Sequence, residues 1–561
     1  MNTFESLGYT EAAKAIAAGM EAAQRFGRPM AFAVMDHAGD MIASSRMEGV
    51  PARVLRTAIR KAHTAAKMGR NTLSLKRDLD DRLNTLWDWG DKEFTTLQGG
   101  LVVKRPDVEG AGERVLGAIA CGGGTLETDE EVARMMVRAI GLEPVLDERL
   151  LVPWKPASKI STTGRCSFAL PLAASALPPG QAAPGATRIG NVVHTTGVFG
   201  CDPKSGELPS DPEAQFANAF TNLQRVLEMA GVSSADEIGL ITYFIPDASY
   251  RKFINKPWMR YFPGTVRPER KTNQIPLPPG VVVQLQAVAL IGEKASPLEI
   301  PGLWHRDPLP MGARIGDQLY SSVISGQDPD NGGRMVKDPV AQIACVFDNA
   351  RRLMEQAGST LDQINHVWVF MQPHFPWHDQ MVEAWVRTFA DPASRPARKT
   401  VPYDGLSGDN HIQIQITATL AGGKRSNLEV EHVHHIDPIP LGSRVGRFLY
   451  SSGIGGLDPE KGRQWVKPEI HSTAAFMVDG LEAQTRLSLM HLDTLMKNDG
   501  ATLDNVAALT VLVRRFEDVP VIAEHLRRSF PDAQSQPAVQ YIHYRLPDHV
   551  LVQLHAVGVR A

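Results

Sequence analysis

Pro396-Ala397-Arg398 and the stretch after it, Gly408-Asp-Asn-His-Ile-Gln-Ile-Gln-Ile-Thr-Ala418, decide how this chain is read. The second part alternates strictly. Ile412, Ile414 and Ile416 fall on one face of a strand, and His411, Gln413 and Gln415 on the other. Two further versions exist. Pro268-Glu269-Arg270 leads to Val281-Val-Val-Gln-Leu-Gln-Ala287, and Pro537-Ala538-Val539 leads to Val550-Leu-Val-Gln-Leu-His-Ala556. An arginine at the entrance of such a strand is suited to hold a carboxylate through paired hydrogen bonds.

The repetition extends outward from these segments. Arg188-Ile-Gly190, Arg314-Ile-Gly316 and Arg444-Val-Gly446 open three units, spaced by 126 and 130 residues. That is a domain-sized period, not a solenoid one. Each opening leads to a strand and turn: HTTGVFGCDPKSGE from 194, YSSVISGQDPDNGG from 320 and YSSGIGGLDPEKGR from 450. A helix then begins near Ala214-Gln215, Ala341-Gln342 or Ala483-Gln484. It ends at Gly231, Gly358 or Gly500, where a left-handed cap belongs. An apolar strand, a second helix and the alternating strand complete the unit. The third unit has about a dozen extra residues around His471–Gly480. The second and third units share H-x-D-P-x-P-x-G-x-R-x-G, from His305 and from His435. Strand, strand, helix, strand, helix, strand predicts an antiparallel α+β sandwich with helices on one sheet face.

Ahead of the repeats, an amphipathic helix is expected over Thr10–Phe26 and two strands around the turn Asp36-His37-Ala38-Gly39-Asp40. A helix from Pro51 carries Leu55, Ile59, Ala62 and Ala66 on its buried side, with His63 beside them. Thr128-Asp-Glu-Glu131 reads as a capping box after the glycines Gly122–Gly124. Residues 144–183 are rich in proline, alanine and serine and read as a connector, part of it packed.

Composition bounds the function. The 561 residues carry a formal net charge of −3. Such a balance gives no electrostatic reason to expect nucleic acid or a membrane as partner. There is no apolar run of membrane-spanning length and no signal-peptide pattern. Four scattered cysteines lack metal-ligand spacing and read as reduced thiols of a cytoplasmic protein. No metal site is expected.

The stretches AVMDHAGDMIASSRMEG, AIRKAHTAAKM and GAIACGGGTLETDEEVA make residues 1–143 resemble the GlcG/HbpS family. That resemblance implies a small α/β sandwich, oligomers formed through this domain, and haem as a candidate cofactor with His63 as its ligand. The turns, the Ala-Gln helix, P-A-R and the last strand make the rest resemble the RidA/YjgF family of enamine/imine deaminases. Repeats fall at 184–296, 297–424 and 425–561. Members are trimers with a chorismate-mutase-like fold, a central barrel and pockets between subunits. Three fused copies therefore imply an intramolecular pseudo-trimer.

The RidA resemblance implies hydrolytic deamination of an imine or enamine of a small carboxylated metabolite, with no cofactor required. Arg398 and Arg270 match the carboxylate-binding arginine, and Val539 replaces it in the third copy. Ser452-Gly453 and Thr196-Gly197 match the turn that positions water, while Val323 replaces the glycine of the second copy. Gln413 and Gln284 occupy the place of a glutamate that many members have. An amide orients a water but does not shuttle its proton. A haem-dependent oxidoreductase and a non-catalytic assembly binding haem or another ligand are the competing expectations.

Overall fold

The computed structural model describes residues 5–82, 85–105, 114–145, 154, 165–170, 184–264, 266–406, 408–463, 476–532, 534–547 and 549–560. The chain divides into two compact units. One is Met1–Val152 with Trp258–Gly264 and His305–Pro308, and the other is the remainder. Among the described residues no helix is long and apolar enough to cross a membrane.

In the first unit the elements run α1 (Tyr9–Arg25), β1 (Ala31–Asp36), β2 (Met41–Arg46), α2 (Ala52–Met68), α3 (Thr72–Arg82), β3 (Gly100–Arg105), β4 (Arg114–Gly122) and α4 (Leu126–Ala139). The sheet is antiparallel with order β2-β1-β4-β3. Alternation along β1 sends Phe32 and Val34 into a core with α1 and α4. Ala33 and Met35 go to the other face, against Ala58, Ala62 and Ala65 of α2. The buried stripe of α2 is thus one of alanines centred on Ala62. Leu55 and Ile59 lie at its margin, only partly buried, because small side chains let the helix lie close to the sheet. The expected capping box shifts as well. Thr125 is the N-cap of α4, its hydroxyl accepting from the Thr128 N–H.

The second unit holds three seven-stranded sheets with the same strand order. In the second repeat the path runs Ala295–Leu298, Gly312–Ile315, Gln318–Ser321, Ile412–Thr419, Ile364–Met371 and Ala397–Pro402. One expectation needs correction. The P-A-R segment does not enter the alternating strand; it is a strand of its own, Ala397–Pro402, parallel to Ile364–Met371. Glu269–Gln274 and Ala538–His543 repeat this arrangement. The helix before each one carries the chain back across the sheet, and such a crossover delivers a parallel neighbour. Most of 144–183 lies outside the described residues, but Arg165–Ala169 is the outer strand of the first repeat's sheet. Of the extra segment around His471–Gly480 in the third repeat, 471–475 lie outside the described residues.

The expected glycine ends of the Ala-Gln helices hold, and two aspartate caps join them at the other end. Asp211 and Asp338 cap their helices through side-chain oxygens, each followed by proline in the first turn. Gly231, Gly358 and Gly500 all have positive φ. The glutamine of each Ala-Gln pair acts as a clamp. Gln342 donates to Val336 O and Asp409 O and accepts from His411 N and Ile412 N, fixing the entry to the last strand. Gln215 and Gln484 do the same in their repeats.

The three sheets form a ring. The strand Ile238–Ile245 packs on the hairpin of the second repeat, Ile364–Met371 on that of the third, and Val506–Val513 on that of the first. The equivalent turn residues Asn191, Asp317 and Arg447 meet at one end. Arg447 donates to Asn191 Oδ1 at 2.8 Å and pairs with Asp317 at 3.2 Å. Among the described residues no strand pairing joins one sheet to the next, so the ring is not a closed barrel.

Candidate functional site at the junctions between repeats

In a parallel pair, neighbouring residues share a face and successive ones alternate. Val367 is the partner of Arg398, and Trp368 that of Lys399. Arg398 therefore lies on the helix side of the sheet and Lys399 on the side facing the ring's interior. Helix His378–Thr388 covers the guanidinium, which is 1% exposed and lies 4.7 Å from the centre of the Trp385 ring. Its ion-pair partner is Asp437, from the H-x-D-P segment that opens the third repeat. His378 Nε2 lies 3.3 Å from the other oxygen of the same carboxylate. Burial opposes ionisation of Asp437. The His378 hydrogen bond and the Arg398 charge outweigh it and hold the carboxyl below the usual range. Burial lowers Arg398 to about 10, which leaves it charged at neutral pH.

Arg398 also identifies the junction at which it lies. Its N–H donates to Ser452 Oγ at 3.0 Å, and that hydroxyl donates in turn to Pro440 O at 2.7 Å. Arg398 of the second repeat thus meets Ser452-Gly453 of the third. Thr196-Gly197 meets the third repeat instead, through a bond from Thr196 Oγ1 to Val539 O. At that junction Val539 stands at the strand position that Arg398 holds in the second repeat. Arg270 donates to Asn255 Oδ1 at 2.9 Å, with the Tyr243 ring 6.0 Å away. The junction of its repeat with the next carries Val323 in the turn.

The structure does not bring the two glutamines to the arginines. Gln413 is the register partner of Phe370 and so faces the interior, away from Arg398. It donates to Ser325 Oγ at 3.1 Å, and Gln284 accepts from Gln540 Nε2 at 3.0 Å. The period of two that makes the strand legible also separates them from the arginine face. Gln553, at the same strand position in the third repeat, accepts from Lys399 Nζ. The turn glycines make room for these amides. A Cβ at Gly453 would overlap Gln553, and one at Gly197 would overlap Gln284 and Gln540.

In the first unit, His63 has both ring nitrogens engaged, Nδ1 with Gly39 O at 3.0 Å and Nε2 with Asp91 Oδ2 at 3.1 Å. So arranged, it presents no nitrogen to a haem iron and does not fit the role of axial ligand. The glycine turn has its own anion. Gly124 N donates to Asp129 Oδ1, and Lys61 Nζ pairs with Asp129 Oδ2 at 2.6 Å.

Two groups of residues were not singled out from the sequence. Asp437 lies in a repeated motif that had no assigned partner. The signal was present, since H-x-D-P follows each of the two repeats that carry arginine. Lys271 and Lys399 follow those same arginines in P-E-R-K and P-A-R-K, against P-A-V-Q in the third repeat.

Comparison with known proteins agrees with this architecture. The family model described as Endoribonuclease L-PSP matches residues 176–291 and 311–420, and the one described as Haem degrading protein HbpS-like matches 7–138. A RutC family protein of Haemophilus influenzae is 30% identical over 109 residues, which is 19% of this chain and 83% of that protein. The 2-iminobutanoate/2-iminopropanoate deaminase of Escherichia coli is 29% identical over 105 residues, 18% of this chain and 81% of the enzyme. A solved chorismatase structure is similar over 58% of this chain and 93% of its own, with 14% identity and a TM-score of 0.39. The chain belongs to the RutC family through its repeats and carries an HbpS-like domain ahead of them. Imine deamination is the activity for which such relatives are named.

Proposed function

We propose that this chain hydrolyses the imine or enamine of a small carboxylated metabolite at the junction of the second and third repeats. The observation that carries the reading is that Arg398, seated on Trp385, already holds a carboxylate, that of Asp437. A pocket that orders one carboxylate has the donors and the aromatic seat to order another. The substrate carboxylate exchanges with Asp437, which His378 retains. A water held by backbone groups of the Ser452-Gly453 turn adds its oxygen to the imine carbon. The carbinolamine then collapses to a carbonyl, and the nitrogen leaves as ammonia. The Ser452 hydroxyl proton is committed to Pro440 O, so Ser452 serves through its backbone and its position. A protonated imine is electrophilic already, and holding it by its carboxylate supplies the orientation.

The test is ammonia release by the purified protein from freshly generated 2-iminobutanoate, beside an imine of similar size without a carboxylate. Acceleration of the first and not the second is expected. Equal acceleration of both, or none of either, would remove the carboxylate-anchored reading.

A further inference from the structure

The interior of the ring is not packed solid. A cavity of about 780 Å³ runs along it, with walls from all three repeats. That is the size of a small-molecule site. Trp368, Phe370 and Phe244 supply flat apolar wall, and His194, His366 and His555 reach it from three strands. The exposed lining residues Pro373, His374, Asp404 and Arg545 follow the C-terminal ends of the parallel strands and mark a mouth. The Arg447, Asp317 and Asn191 junction lies at the other end. Lys399 also lines the cavity. Its ammonium has the amide oxygen of Gln553 and, at 5.4 Å, the ring of Tyr544. Among the described residues no carboxylate lies within 4.0 Å of it. A buried ammonium without a counter-charge is costly. The Nε2 of His194 is buried against the same space without a hydrogen-bond partner. Burial lowers His194 to about 4 and His366 to about 3, so both imidazoles are neutral near pH 7 and can donate or accept.

We propose that this cavity is a second binding site, distinct from the Arg398 junction, for a planar aromatic carboxylate. Lys399 pairs with the carboxylate, the aromatic walls stack the ring, and the interior imidazoles bond a polar ring substituent. Lys399 and Arg398 are adjacent in sequence but on opposite faces of one strand, so the two sites are separable by substitution. The probe is 6-hydroxy-2-naphthoate, titrated by calorimetry, with 2-naphthol as the comparator that keeps ring and hydroxyl and lacks the carboxylate. Saturable binding of the naphthoate is expected, at least ten-fold tighter than that of 2-naphthol. Lys399→Met should weaken it at least ten-fold and Arg398→Met less than two-fold. Met occupies nearly the same volume, and an unchanged melting temperature checks that the variant is folded. Thr510→Trp, which fills the cavity from the facing wall and leaves Lys399 in place, should also abolish binding. No saturable binding of the naphthoate, equal binding of 2-naphthol, or loss on Arg398→Met with retention in Lys399→Met would each overturn the proposal.

Discussion

Arg398 and Asp437 are joined across two repeats, one almost wholly buried and the other partly exposed. Asp437→Asn removes the internal carboxylate and keeps the shape. We expect it to lower stability by about 3 kcal/mol, the low end for breaking a buried pair. We also expect it to lower KM several-fold for a carboxylated imine, because substrate no longer competes with Asp437. An unchanged KM with the same loss of stability would make the pair structural only. Because the folded-state carboxyl of Asp437 is held below its ordinary value, it contributes stability above about pH 4 that is lost as pH falls further. Urea unfolding between pH 3 and 6 should show a shallower slope in Asp437→Asn. Lys399 behaves oppositely. Burial lowers it to about 8, so the folded state holds its proton less tightly than the unfolded state does. Stability should rise from about pH 8 toward about pH 10, and Lys399→Met should flatten that rise. At this scale the arginines were legible as donors matching a family position. Their partner was not, because Asp437 is 39 residues away and only the fold brings it near.

At the scale of elements, the alternating strand was readable because its two faces have different chemistry. Ile412, Ile414 and Ile416 are all buried under the helices, and Gln413 and Gln415 are only partly buried. The short strand Ala397–Pro402 was not readable, since Ala-Arg-Lys-Thr-Val-Pro has no apolar period and its burial arises from the neighbours it meets. The same gap hid the separation of Arg398 from Gln413. The turn glycines give the prediction that belongs here. Gly453→Ala should push Gln553 from the turn and free Lys399 from its acceptor, costing about 1–3 kcal/mol in chemical unfolding. Val323→Ala should cost much less, because Gln413 already bonds Ser325 instead.

At the scale of the molecule, three fused copies close on themselves, and the junctions are not equivalent. The junction of the second and third repeats joins an arginine, a turn glycine and a carboxylate in one place, whereas Val323 replaces the turn glycine of the second repeat and Val539 the arginine of the third. The repetition made the threefold arrangement legible from the sequence. The hollow interior was not, because it depends on which small and large residues meet across three sheets. Arg447, which joins the three turns, should matter more than an ordinary surface arginine. Arg447→Ala is expected to cost about 1–2 kcal/mol and to broaden the unfolding transition of the repeats, measured by calorimetry. The most direct measurement of the central claim is kcat/KM for ammonia release from freshly generated 2-imino acids, compared between the wild type, Arg398→Met and Arg270→Met. A loss of at least 100-fold in Arg398→Met, with Arg270→Met within ten-fold of the wild type, is predicted. Arg398→Met turning over as fast as the wild type would contradict the account.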